Sequence, residues 1–580
     1  MVVQQLPKLT TRVRFPSPAP LNLFYPLIKI ISQMLTYIPK VLLGVLVLIG
    51  CGLWCTQTQQ EGWYDLYNYH FYNGWAFATG NGLKNYFVTG IYTFFAPLMD
   101  CLTYLEIKNF NNYPRLIFFI NGFFQGFIYI LVFHILKLFV PTTTKTDKIL
   151  FLSLLLYSVS GFALVMQLGT SSHEIEVSCL FLFAFYLFFK DLKQKKFSIV
   201  NSCGTGLMIG GALGLKLTLL PMCIGFGCCV LFLLIKKQLT HPIKTCLYLA
   251  IGSIIGFLLI DGWWLYLTWK ETGNPIFPMA NHIFKSPLLP SENFRDIRFL
   301  PKTLLQTLFY PFYWITGKEY VTDMDVPTYI LHAIIPYICI LFLLYSLFRQ
   351  KKYRTPEQAL ITFYVFSYIA WLGLFSILRY TVTLEILSGA IIFLAIQRLS
   401  AQKTIGFFIL TAAILSVKMY PSWGERGSEQ YVSEHPILVT DDTVVIVAED
   451  LSSYLVPFIR TQQPVLGFTA LAIGKPIPWD QKTRQLYLKL LKNKKIVVIT
   501  NTLKTLDLLK YNSKMNIRTH IYQLPNDTPI RYFILAAEKK GGNTFSGFSL
   551  SSEHLNEFID VMTAKTAMER YPKKFNKDSD

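Results

Sequence analysis

"DLYNYHFYNGWAF", residues 65–77, is crowded with aromatic rings and amides, yet it holds one carboxylate, Asp65, and one imidazole, His70. It follows closely on an apolar run at 38–56 and opens a segment too polar to span a membrane and too apolar to be free coil. A lone acid on a hydrogen-bonding, aromatic surface beside a hydrophobic span implies a site at a membrane boundary.

Composition agrees. The 580 residues are 52% hydrophobic and 16% aromatic, with only 15% charged, where a soluble chain carries about 25%. Mean hydropathy is +0.40. The formal charge of +20 fits basic cytoplasmic loops better than a nucleic-acid footprint. The ten cysteines lie mostly in apolar runs, with no disulfide framework and no zinc spacing.

A bilayer span needs about 20 mostly apolar residues. Such runs lie near 38–56, 115–138, 149–168, 175–189, 199–216, 218–235, 246–268, 328–348, 358–376, 382–398 and 404–420, about eleven in all. With the N-terminus inside, the returning loops are KLFVPTTTKTDK, KDLKQKKF, KKQLTHPIK, RQKKYR and QRLSAQK. All are basic, as the positive-inside rule requires. The loops at 57–114 and 269–327 then face outward, and so does everything after 420. YTFFAPLMDCLTYLEI (92–107) reads as an interfacial helix.

Beyond Tyr420 the pattern changes. TVVIVAE (443–449), KIVVIT (495–500) and RYFILAAE (531–538) are strand-like, with helical spacing at 481–492 and 502–511. The expected fold is an α-helical polytopic membrane domain (34–420) with a small extracytoplasmic α/β domain (421–540) and a flexible tail (541–580). TRVRFPSPAP (11–20) reads either as the translated 3′ end of a tRNA, making Met34 the expected start, or as a disordered tail. Residues 1–33 are set apart from the fold on both readings.

Asp65 has two readings from its surroundings alone: a helix cap within an aromatic belt, or a general base, since desolvation raises a carboxylate's proton affinity as base catalysis requires.

The ordered set of DLYNYHFYNGWAF, IYTFFAPLMDCLTYL, GTSSHEIEV (169–177), GLKLT (214–218), TGNPIFPMANHIFKSP (272–287) and RYTVTLEILSG (379–389) resembles bacterial members of the GT-C superfamily of integral-membrane glycosyltransferases. The resemblance runs over roughly residues 38–420. It implies a multi-helix fold with an external site in a bacterial inner membrane. It also implies a polyprenyl-phosphate-linked sugar as donor and an acidic residue in the first external loop, the place Asp65 holds. Asn68, Tyr69, His70 and Asn73 would then hold sugar.

On that resemblance, Lys216 and Arg379 at outer span ends are expected to take the donor phosphate, with Tyr380 assisting. Glu385 is expected to pair with one of these cations or to orient the acceptor. His173 and Glu174 open a span at a family-like motif, where helix-start chemistry is the plainer reading. Asn274 and Asn281 would line the donor channel, or merely brace a proline-shaped loop. Asp261, alone in an apolar run, is a further candidate. Asp323 and Asp325 spell a DxD motif, better read as a helix start; a lipid-monophosphate donor requires no metal, so neither metal nor cofactor is expected. The acceptor and the sugar, hexose or pentose, stay open. Two other classes fit less well: a transporter or flippase of lipid-linked glycans, for which neither repeat nor midplane polar residues are visible, and a non-catalytic envelope assembly protein.

Overall fold

The computed structural model describes residues 25–57, 64–314, 330–349, 353–397, 430–449, 451–468, 481–501, 518–524 and 532–551, with isolated residues near 405 and between 554 and 562. Helices occupy ten of the eleven expected spans, and 404–420 lies largely outside the described residues. Among the described residues, four helical stretches, Pro114–Phe139, Leu217–Ile235, Pro242–Thr272 and Leu378–Ile396, are long and apolar enough to cross a bilayer by length and composition. The first helix, Tyr25–Cys55, begins ahead of Met34, so residues 25–33 are helical and only 1–24 fall outside the description.

Local chemistry sets the helix ends. The Thr144 hydroxyl accepts from the Asp147 backbone N–H at 3.1 Å, and the Asp147 carboxylate accepts from that of Thr144 at 2.9 Å. This reciprocal cap starts Lys145–Val159. Ser198 caps Ile199–Leu215 through the N–H of Asn201 at 3.0 Å. The expected continuous span 149–168 is interrupted instead: Lys145–Val159 ends, the chain turns at Ser160 and Gly161, and a short helix runs Phe162–Gln167. Gly161 lies against the carboxylate of Glu385, where any side chain would collide.

The first loop is also more broken than expected. Residues 66–70 form one π-helical turn leading into Phe71–Ala78. Residues 92–107 divide into a 3₁₀ turn, Gly90–Phe94, and a helix, Leu98–Phe110, separated by Pro97.

The C-terminal part is built on two sheets. Its strands are β1 (Ile437–Val439), β2 (Thr443–Val447), β3 (Ile459–Arg460), β4 (Val465–Gly467), β5 (Lys495–Thr500), β6 (Thr519–Gln523), β7 (Tyr532–Ala536), β8 (Glu538–Gly541), β9 (Thr544–Ser546) and β10 (Phe548–Ser549). The larger sheet has the order β4-β2-β5-β7-β6, with β10 beside β5, and the smaller has β3-β1-β9-β8. The helix Gln481–Leu491 matches its expectation, while 502–511 lies outside the described residues. The boundary at 540 does not hold. β9 and β10 belong to the sheets, and Leu555, Phe558, Ile559 and Met562 are buried. TFSGFS is too short and too glycine-bearing to read as strands.

This part is not a detached appendage. The edge strand β4 continues into the first loop: the Tyr86 N–H donates to the Val465 carbonyl at 3.1 Å, and the Gly467 N–H donates to the Tyr86 carbonyl at 2.8 Å. Gly467 faces the backbone of Phe87 so closely that no other residue fits. The side chain of Asn85 accepts from Val465 N–H at 2.8 Å. Below this edge, Tyr67 packs edge-on against Tyr454 with ring centroids 5.1 Å apart, a contact worth about 0.5–1.5 kcal/mol beyond burial. The sheets thus share one apolar core with the helical bundle.

Candidate active site

Asp65 does not cap the turn that follows it. Its backbone is already helical and its side chain makes no capping hydrogen bond. Instead its Oδ2 meets Nη1 of Arg379 at 3.0 Å, with both side chains largely buried. The guanidinium expected on donor phosphate is therefore engaged with the expected base. Arg379 also lies over the Tyr380 ring, 5.4 Å from its centroid.

The second cation has a partner too. Lys216 Nζ stands 2.6 Å from Oε1 of Glu174 and donates to the Ser172 carbonyl. Lys216 is thus drawn inward by a buried carboxylate and does not snorkel. Tyr380 lies within electrostatic reach of Arg379, Glu174 and Asp65. The two ion pairs therefore converge on one tyrosine, although their four charged residues come from distant parts of the chain.

The aromatic wall is ordered by stacking. Tyr69 lies on Tyr92 with centroids 4.7 Å apart and rings nearly parallel. Burial and the nearby Asp65 carboxylate push its phenol well above the usual range, partly opposed by Arg379. Next along the turn, Nδ1 of His70 meets Oδ1 of Asp100 at 2.5 Å. His173, in a left-handed backbone conformation with φ 63°, holds Nε2 2.9 Å from the Thr103 hydroxyl. The two imidazoles are edge-to-face with centroids 5.6 Å apart. His70, Asp100 and His173 form a cluster that could hold a metal ion. Asp100 was not foreseen, although a carboxylate at the start of an apolar helix in the first loop was signal enough.

Other expected site residues go elsewhere. Asn68 is buried, and its backbone carbonyl, with that of Tyr67, accepts from the Ser453 hydroxyl. Asn73 donates to the Tyr92 carbonyl at 2.9 Å and braces the wall from behind. Asn274 and Asn281 are fully buried and spend their amides inside the 272–290 loop. Asn274 donates to the Met279 carbonyl, and Asn281 donates to those of Leu289 and Pro290 while accepting from the Ser286 N–H. Both follow the bracing alternative. Glu385 pairs with neither cation: it accepts from the N–H groups of Ala163 and Leu164 at 3.0 and 3.1 Å, closing the start of the short helix Phe162–Gln167. Asp261 is buried in Pro242–Thr272. Asp323 and Asp325 lie outside the described residues.

No protein-family model matches the chain, and no curated protein matches it. Among solved structures, ArnT from Cupriavidus metallidurans, crystallised bound to undecaprenyl phosphate, is similar at a TM-score of 0.50 and 12% sequence identity, over 87% of this chain and 99% of that one. At that identity the likeness is one of fold alone: the chain shares the fold of ArnT.

Proposed function

We propose that the protein is a polyprenyl-phosphate-dependent glycosyltransferase that moves a sugar to an acceptor outside the cytoplasm, with Asp65 as general base. The observation that carries this reading is the buried Asp65–Arg379 pair, set among stacked tyrosines at the end of a helix. A buried carboxylate held by one guanidinium, beside a second ion pair, suits a reaction in which an anion arrives and a proton must leave.

The pair gives the reaction an order. The donor's phosphodiester spreads its negative charge over two free oxygens, which the Arg379 guanidinium can meet with two parallel N–H···O bonds where Asp65 offers it a single carboxylate oxygen. Donor binding would draw the guanidinium away and release Asp65 toward the acceptor. The acceptor hydroxyl then attacks the anomeric carbon as Asp65 takes its proton. The bond from that carbon to the phosphate oxygen breaks, the polyprenyl phosphate leaves with the electron pair, and configuration inverts. Lys216, with Glu174 as its resting partner, adds positive charge for the departing phosphate. The undecaprenyl phosphate in the ArnT crystal supports a lipid-linked donor of this class. The basic loops support an inner-membrane orientation with the N-terminus inside and the α/β part outside.

The test is incubation of membranes bearing the protein with a panel of radiolabelled polyprenyl-phosphate hexoses and pentoses. Label leaving the prenyl carrier with inverted configuration is the expected result. Retained configuration in the product would overturn the single displacement, and no loss from any carrier would overturn the activity.

A further inference from the structure

Three segments that are remote in sequence bring His70, Asp100 and His173 together, each fully enclosed by protein. One ligand-type atom from each lies within 4.8 Å of the others. Hydrogen bonding alone does not complete this cluster. Nε2 of His70 is buried without a hydrogen-bond partner, and a buried unpaired polar atom costs about 1–3 kcal/mol; Nδ1 of His173 makes no hydrogen bond and stands 3.8 Å from the Glu176 carboxylate. The backbone of His173 is held at φ 63°, a conformation disfavoured for a residue with a side chain, and it turns this imidazole inward.

We propose that His70, Asp100 and His173 bind a divalent transition-metal ion of the zinc class. Two imidazoles and a carboxylate match the borderline ligand preference of that ion and leave a fourth position open. Ligand atoms around tetrahedral zinc stand about 3.3 Å apart, given bonds of about 2.0–2.2 Å. The ligand-type atoms of the set lie within 4.8 Å of one another, so the cluster would have to draw in by about 1.5 Å at most to reach that spacing. The ion would tie the turn 66–70 to the helix Leu98–Phe110 and to the start of Glu174–Gln194, fixing the elements that carry Asp65 and Glu174. His70 also packs against Tyr69, ring centroids 4.2 Å apart, at the aromatic wall beside Asp65. Such a metal site departs from the expectation that no metal is needed. It does not rest on the transferase reading, because metal content is measured without any transfer assay.

The experiment uses the full chain in detergent, purified through a tag without histidine, stripped with EDTA and titrated with zinc or cobalt. About one zinc per chain and the visible bands of four-coordinate cobalt are expected. His70→Gln and Asp100→Asn should weaken binding by at least about 100-fold, since even outer-shell changes cost 10–100-fold. The exposed-site control His282→Gln should bind like the wild type. His173→Cys separates ligation from folding: it should keep cobalt and add a thiolate-to-metal charge-transfer band. Wild type that takes up no metal, or His70→Gln and Asp100→Asn proteins that bind as tightly as wild type, would overturn the proposal.

Discussion

Replacing Asp65 by Asn separates a base from a counter-ion. The substitution keeps the volume and an oxygen for the Arg379 guanidinium and removes the ability to take a proton. Loss of a general base costs about 10²–10⁴ in rate, or about 3–5 kcal/mol of barrier. The structure adds a second term. The carboxylate is 11% and the guanidinium 17% exposed, so this is a buried pair, and deleting one partner outright destabilises by about 3–5 kcal/mol. Asn retains a hydrogen bond, so the loss in stability should be smaller than for Asp65→Ala. The double variant Asp65→Asn/Arg379→Gln leaves no uncompensated charge and should recover abundance. It should not recover transfer. The assay is label transfer in membranes, normalised to immunoblotted protein, alongside binding of tritiated undecaprenyl phosphate in nanodiscs. Because the carboxylate no longer competes for Arg379, Asp65→Asn should bind that phosphate at least as tightly as wild type. Transfer by the single or double variant within about tenfold of wild type, against the loss expected of a base, would refute the base assignment and leave Asp65 as the partner of Arg379 only.

Four further outcomes are expected. Lys216→Met strands the Glu174 carboxylate and should lower stability by about 3 kcal/mol, read by thermal unfolding in detergent, with Glu174→Gln in the same chain restoring most of it. Glu385→Ala leaves two backbone N–H groups without an acceptor and should destabilise by about 2 kcal/mol or more; Glu385→Gln, which keeps one oxygen, should fall between, and equal stability of all three forms would remove the capping role. Ser453→Ala releases the two carbonyls of the π-helical turn and should reduce kcat while leaving donor KM nearly unchanged, whereas a change confined to KM would show that the serine does not position Asp65. A reporter active only in the cytoplasm, fused after Lys539, should be silent, and a signal from it would reverse the orientation drawn from the basic loops.

Much of the fold was legible because the bilayer imposes a coarse rule on the sequence. Apolar runs near 20 residues placed helices in ten of the eleven expected spans, and strand-like runs at 443, 495 and 531 found the centre of the larger sheet. The failures share a cause. Glu385 looks in sequence like the natural partner of Arg379, six residues away. Its true acceptor role depends on a break at Gly161 that periodicity does not mark. Asn274 and Asn281 carry the residue type of a sugar site, but only the fold of their own loop shows that their donors are spent. Asp65 and Arg379 were each singled out as functional, yet their contact joins the first loop to the last described membrane helix, and no local pattern encodes it. Asp100 lies in the first turn of Leu98–Phe110, where an acid reads as ordinary helix-start chemistry. β9 and β10 stayed hidden because strands of two or three residues exist only by virtue of the sheet they join.

The union of the first loop with the edge of the C-terminal sheet bears on how the molecule is made. Asn85 and Val465, which meet through a hydrogen bond, are 380 residues apart, and at synthesis rates of about 5–20 residues per second that gap lasts about 20–75 s. Throughout that interval the loop carrying Asp65 is already translated but has no strand to pair with, and the turn at 66–70 has no Ser453 to hold its carbonyls. A nascent or prematurely terminated chain can insert helices and yet present an unsupported loop. Chains stopped before residue 430 should therefore reach the membrane and be clipped rapidly within 80–90, where the full-length chain is protected. The candidate site is thereby left incomplete in unfinished copies, since its earliest-made part waits on the latest.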